Sequence, residues 1–169
     1  VTVLGAADRL MGRVVAPAIS EHFLALHQGW GSDIRLKTPV GRILGAGGQV
    51  VSVETAGGDR IAADLAVIGI GVLPNTELAA AAGLAVDNGI LVNDFIETSA
   101  PEVIAIGDVV SFHHWELDRR VRLESVQNAV DQGKIAAATL MGQREAYRAV
   151  PWFWSDQGDV KLQMVGLSG

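Results

Sequence analysis

TSAPEVIAIGD, residues 98–108, sets a run of apolar residues between a polar entry and a Gly-Asp exit. Such a run predicts a buried strand that delivers Asp108 at its C-terminal end, directly after Gly107. A carboxylate in that place accepts hydrogen bonds from sugar-alcohol hydroxyls, and the glycine beside it lets a ligand come close to the backbone. A Gly-Asp pair by itself is also an ordinary turn. The weight therefore rests on the whole stretch and on what surrounds it.

Upstream, VTVL at residues 1–4 is a short β-branched strand. A helix is expected from Pro17, a residue suited to a first helical turn, with Ile19, Phe23, Leu26 and Trp30 repeating along one buried face. From Asp33 to Gly71 the runs IRL, VGRIL, VVSVET and LAVIGIG alternate between turns at Gly47-Gly48 and Gly57-Gly58-Asp59. They predict a small antiparallel meander feeding a buried strand. After Pro74-Asn75 come a short Ala-rich helix and two strand-sized runs, GILV and VIAIG. Downstream, a polar loop with His113 and His114, taken as solvated, leads to VRLES. A long helix then runs from about Ser125 to Gly142, with Val126, Val130, Gly133, Ala137 and Leu140 as its apolar stripe. The tail from Pro151 turns to aromatic and alternating residues.

Alternating strands and helices predict an α/β doubly wound sheet. Such a domain opens with a strand, a glycine-rich turn and a helix whose N-terminus holds a pyrophosphate. These 169 residues contain no G-x-G-x-x-G. The expected fold class is therefore α/β with partial doubly wound, Rossmann-like dinucleotide-binding folds, an antiparallel β-meander and the start of an α+β C-terminal domain. The chain reads as an internal fragment.

Composition narrows the function classes. With 49% hydrophobic and 19% charged residues the chain has the makings of an ordinary globular core. A net charge of −6 disfavours non-specific nucleic-acid binding, which depends on neutralising phosphates. The apolar run Leu65–Leu73 is too short to span a bilayer and is broken by Gly69 and Gly71. With no cysteine there is no disulfide framework and no thiolate metal site. The opening VTVLGAADRL lacks the charged-then-apolar order of a signal peptide, and the cytoplasm is the expected location.

Three further stretches carry chemistry. In IGIGVLPNTEL, residues 68–78, glycines and a proline end a strand at a crevice edge, or simply turn the chain. In RLESVQNAVDQGK, residues 122–134, a helix N-terminus offers unpaired N–H groups to an anion or an electron-rich carbonyl; the plainer reading is that Ser125 caps a core helix and Val126 is packing. In VPWFWSDQGDVKLQMVGLS, residues 150–168, Trp152 and Phe153 read as core. His113 and His114 lack a nearby ligand set, and no metal site is expected.

TSAPEVIAIGD resembles the second FAD signature of flavoproteins with two dinucleotide-binding domains. IGIGVLPNTEL resembles the crossover by which their nicotinamide domain returns to the FAD domain. RLESVQNAVDQ and PWFWSDQ narrow the resemblance, which runs through essentially the whole chain, to the putidaredoxin reductase-like ferredoxin reductases of bacterial monooxygenase and dioxygenase systems. These belong to the FAD-dependent pyridine nucleotide-disulfide oxidoreductase superfamily.

The resemblance implies residues 1–74 as part of an NAD(P)-binding domain, 75–148 as part of an FAD-binding domain, and 149–169 as the start of a C-terminal interface domain. It implies FAD as cofactor, NADH or NADPH as electron donor, and a small iron–sulfur ferredoxin as partner. Asp108, with Gly107, would hold the ribitol of FAD, Val126 would give its backbone N–H to the flavin, and Trp154 would lie beside the flavin towards the partner. Gly69, Ile70, Gly71 and Val72 would line the nicotinamide crevice. No side chain reads as a catalytic acid, base or nucleophile. One departure stands out: where the family ends its opening strand with a glutamate for the NADH ribose, this sequence has Gly5. Arg9 and Arg13 follow and can meet a 2′-phosphate, or stand as solvated loop residues. Two rival readings remain, a disulfide reductase of the same superfamily and a non-redox interaction module that keeps the fold.

Overall fold

The computed structural model describes residues 1–167. The chain forms two compact units, Val1–Ile70 and Gly71–Leu167.

In the first unit, strand β1 (Thr2–Leu4) pairs in parallel with β2 (Asp33–Arg35), and helix α1 (Pro17–Gly29) connects them. Pro17 occupies the first helical turn, where its missing N–H costs nothing. IRL thus belongs to a parallel β-α-β unit rather than to the meander, because the intervening helix returns the chain alongside β1. Of the expected apolar face of α1, Phe23 is buried, whereas Ile19 and Trp30 are exposed. The meander itself is present as β3 (Val40–Ala46), β4 (Gln49–Thr55) and β5 (Arg60–Ala62), antiparallel in that order. Glu54 on β4 bridges Arg42 and Arg60 across the sheet at 2.8 Å each.

The expected buried strand LAVIGIG is not formed. Residues 65–73 have no ladder partner, and Leu65, Val67, Ile70 and Leu73 are each more than three-quarters exposed. Strand-forming residues alone do not make a central strand; a neighbouring strand must take up the backbone N–H and C=O groups.

The second unit begins with the short helix α2 (Glu77–Ala81) and has at its centre the sheet β6 (Ile90–Leu91), β7 (Val110–His114) and β8 (Arg119–Val121). The β6–β7 pair is parallel and the β7–β8 pair antiparallel. Val92, Ile96, Ala105, Val110, Phe112, Val121, Leu123 and Tyr147 form its core. VIAIG makes only a single bridge, Ile104 with Glu97, together with the Ala105 N–H to Ile96 C=O bond. It is a brief extended run into a turn, not the strand expected.

Helix α3 (Val126–Leu140) follows, and the hairpin β9 (Trp152–Gln157) and β10 (Val160–Val165) completes the unit. Helix α3 starts and stops as its sequence predicts. Ser125 Oγ accepts the Asn128 N–H at 3.1 Å, and Gly142, at φ +79°, follows the helix in the left-handed conformation. Its buried face is not the one expected. Val126, Val130 and Leu140 are exposed, while Asn128 and Gln132 are completely buried. The tally of apolar residues mistook the outer face for the inner one, because the inner face is lined by amides that hydrogen-bond inward.

Candidate functional site

A single 3-10 turn, Gly107–Val109, carries Gly107 and Asp108 into the start of β7. Gly107 has φ +81°, a conformation that costs an L side chain energy and glycine nothing. A Cβ built on Gly107 would lie 4.0 Å from the Ala129 Cβ of α3, so the turn rests on the first half of that helix. Asp108 is exposed. Its backbone C=O accepts from Arg122 Nη1 at 3.1 Å, and Arg122 also pairs with Glu124 at 2.7 Å. Among the described residues no donor meets the Asp108 carboxylate, which leaves it available to hydroxyl groups of a ligand.

Val126 is the first residue of α3, and its N–H has no acceptor among the described residues. It therefore belongs to the set of orphan donors at a helix start. Trp154, on β9, is half exposed and stacks on Trp152 with ring centroids 5.0 Å apart. The Trp152 N–H donates to Gln127 Oε1 at 3.2 Å, tying β9 to the first turn of α3. Phe153 packs against the core, as its sequence predicts. Helix α3 thus begins with Val126, supports the Gly107 turn through Ala129 and Gln132, and is tied through Gln127 to β9, on which Trp154 lies. Gly69, Ile70, Gly71 and Val72 lie in the exposed segment where the chain passes from the first unit to the second.

Three site residues escaped the sequence reading. Gln132 Oε1 accepts the Gly107 N–H at 2.7 Å, and Gln132 Nε2 donates to Asn128 Oδ1 at 3.1 Å. Tyr147 O–H donates to the same Oδ1 at 3.1 Å, and Asn128 Nδ2 donates to the Leu123 C=O at 3.2 Å. Burial pushes the Tyr147 hydroxyl up to about 12, so it stays a donor throughout the neutral range. The available signal was the i, i+4 spacing of Asn128 and Gln132 inside RLESVQNAVDQGK.

Two expectations need correction. His113 and His114 sit on β7, not in a polar loop, and His114 is buried. Its Nδ1 accepts from the N–H groups of Glu116 and Leu117 at 3.3 and 3.4 Å, a turn that only a neutral ring can hold. Burial, first of all, pulls its pKa below the usual histidine value. Arg9 is part-buried rather than a freely solvated loop residue: Nη1 donates to the Val15 C=O at 2.6 Å and to Ser20 Oγ at 3.0 Å, and Nη2 to the Gly12 C=O at 2.5 Å, which uses three of its five donors. It braces the loop before α1. Among the described residues no cluster of side chains could hold a metal ion, and no helix is long and apolar enough to cross a membrane.

The family model of pyridine nucleotide-disulphide oxidoreductases matches residues 1–133, and a reductase C-terminal model matches 152–169. The chain belongs to the pyridine nucleotide-disulphide oxidoreductase family. Within this family it is 48% identical over 168 residues to rhodocoxin reductase of Rhodococcus erythropolis, covering 99% of this chain and 39% of that protein. The crystal structure of the ferredoxin reductase for the CYP199A2 system of Rhodopseudomonas palustris superposes with a TM-score of 0.94 at 44% identity, covering 98% of this chain and 41% of that one. A covalent putidaredoxin reductase–putidaredoxin complex superposes at 0.93 and 47%, covering 99% and 40%. The chain therefore spans about two-fifths of the length of these relatives. The partial dinucleotide-binding α/β architecture expected from the sequence is the architecture of this oxidoreductase family.

Proposed function

We propose that the full-length oxidoreductase containing this chain is an FAD-dependent ferredoxin reductase that takes electrons from NADH or NADPH and delivers them to a small iron–sulfur ferredoxin. The observation that carries this reading is the Asp108 carboxylate, unpaired and exposed at a positive-φ glycine turn, held against the N-terminal half of the helix that begins at Val126. That arrangement fits a ligand with a polyol chain and an electron-rich ring edge. FAD, when bound, supplies the conversion of hydride chemistry into one-electron chemistry. The chain's own residues bind and orient. Asp108 accepts hydrogen bonds from ribitol hydroxyls, with Gly107 giving the close approach. The Val126 N–H, aided by the positive end of α3, favours negative charge at the flavin's pyrimidine edge. Trp154 shapes the side facing the ferredoxin, a partner supported by the solved relative joined to putidaredoxin. Gly69, Ile70, Gly71 and Val72 line the approach of the nicotinamide.

On this reading residues 1–74 are part of the NAD(P)-binding domain, 75–148 part of the FAD-binding domain and 149–169 the start of the interface domain. The cytoplasm, where reduced nicotinamide is abundant, is the proposed location. The test is to purify the full-length protein, record its flavin absorbance, and follow NADH- or NADPH-dependent reduction of a small iron–sulfur ferredoxin. A colourless protein, or a yellow one that reduces no ferredoxin with either nicotinamide, would sink the proposal.

A further inference from the structure

The buried amides of α3 form a chain of hydrogen bonds with a direction that cannot be reversed. At one end the Leu123 carbonyl can only accept, so Asn128 must present Nδ2 to it and Oδ1 inward. That oxygen receives both Gln132 Nε2 and the Tyr147 hydroxyl. Gln132 must then turn Oε1 to the far end, where the Gly107 N–H can only donate. Both amide side chains are completely buried, and Tyr147 nearly so. Burying two amides where apolar residues would pack costs free energy unless their bonds are made, and here they are made to backbone groups on either side of the helix. One of those groups is the N–H of the residue before Asp108. The peptide plane that enters the Gly107 turn is thereby fixed by a side chain 25 residues away.

We propose that Gln132, locked by Asn128 and Tyr147, is a positioning residue for the flavin site: it pins the Gly107 N–H so that the turn holds the Asp108 carboxylate in its ligand-ready direction. This rests on the reading of Asp108 as a flavin ligand. Without the Gln132 oxygen, the Gly107 N–H loses its acceptor and a glycine at positive φ is free to rotate. The carboxylate then pays an ordering cost each time FAD binds.

The experiment uses the full-length protein, with amide hydrogen exchange resolved to Gly107 in the flavin-free form and FAD affinity measured separately. The Val92 N–H, bonded to the Ser111 C=O at 3.1 Å in the same unit, reports general stability. In Gln132→Met we expect Gly107 exchange to rise about tenfold with Val92 unchanged, and FAD affinity to fall about tenfold. Gln132→Glu, measured at mildly acid pH where a carboxyl in so buried a place keeps its proton, offers an acceptor to the Gly107 N–H and an O–H donor to Asn128 Oδ1, and should hold both readouts closer to wild type than Met does. A residue with a merely structural role would move Gly107 and Val92 together and gain nothing from Glu. Asp108→Ala should weaken FAD without freeing Gly107. If Asp108→Ala weakens FAD and Gln132→Met does not, the flavin reading stands and the positioning role is overturned. If neither variant alters FAD affinity, the flavin reading falls and takes the positioning role with it. Should Gln132→Met not fold, the wild-type protein still decides: a Gly107 amide that exchanges as fast as an unstructured peptide overturns the proposal.

Discussion

The Asp108 carboxylate meets no donor among the described residues, while the backbone around it is held by Arg122 and Gln132. On the proposed reading that charge is kept for the ribitol of FAD. Replacing it with alanine in the full-length protein should remove charge-assisted bonds worth about 1.5–3 kcal/mol of FAD binding. A titration of the flavin-free variant should show that loss, and wild-type affinity would remove Asp108 from the site. Gly5 is the second residue where one side chain is decisive. A Cβ there would meet only the Leu36 side chain at 3.4 Å and the Arg35 carbonyl oxygen at 4.0 Å, both ordinary contacts, and the main chain is not in the left-handed region. Gly5→Glu is therefore sterically tolerated. It should raise the NADH/NADPH ratio of kcat/KM by returning a carboxylate to the end of β1, and an unaltered ratio would count against this placement. Arg9 gives three of its five donors to Val15, Gly12 and Ser20, and Arg13 is exposed. The turn carrying Gly107 with Asp108 and the helix start at Val126 were legible because they lie inside contiguous motifs. Asn128 and Gln132 were not, because a buried amide is told from a solvated one only by partners distant in sequence.

At the scale of elements, boundaries were more legible than faces. Pro17, Ser125 and Gly142 mark helix ends by local chemistry, and each did so. Which side of α3 is buried depends on neighbours, and counting apolar residues chose wrongly. The same holds for β7, where His113 and His114, two polar residues shortly before the turn at residues 116–118, looked like loop residues. The structure gives His114 a measurable consequence. Burial is the main cause lowering its pKa; Glu116 opposes it, while Arg119 and His113 add to it. The native state thus resists the proton that the unfolded chain accepts near the ordinary value of 6.5. Stability is unaffected by this group above that value and is lost as pH falls below it, until the native ring also protonates. Chemical denaturation at pH about 7.5 and 5.5 should show a fall in stability that His114→Leu reduces. An equal fall in the variant would mean that His114 titrates alike in the folded and unfolded states.

At the scale of the whole molecule, a chain 49% hydrophobic leaves a long apolar segment uncovered, from Leu65 through Ile68, Ile70 and Val72 to Leu73. The outer face of α3, with Val126, Val130 and Leu140, is likewise open, as is Met141 directly after it. The sheets of the two units hold two or three strands each, so most strands present an unpaired edge. Open edges and contiguous apolar surface are both templates for association. The chain also has no G-x-G-x-x-G turn to cradle a pyrophosphate, so Asp108, Val126 and Trp154 can meet only part of a dinucleotide. These facts give one expectation for the 169-residue chain produced on its own. It should sediment as a concentration-dependent mixture of associated species and take up FAD or NADH only weakly, despite retaining the Asp108 turn. Sedimentation velocity over a concentration series, paired with equilibrium titration of FAD, separates the two parts. A monodisperse monomer that binds FAD tightly at one-to-one stoichiometry would show that the polyol and ring-edge contacts suffice without a pyrophosphate cradle, and would overturn this expectation.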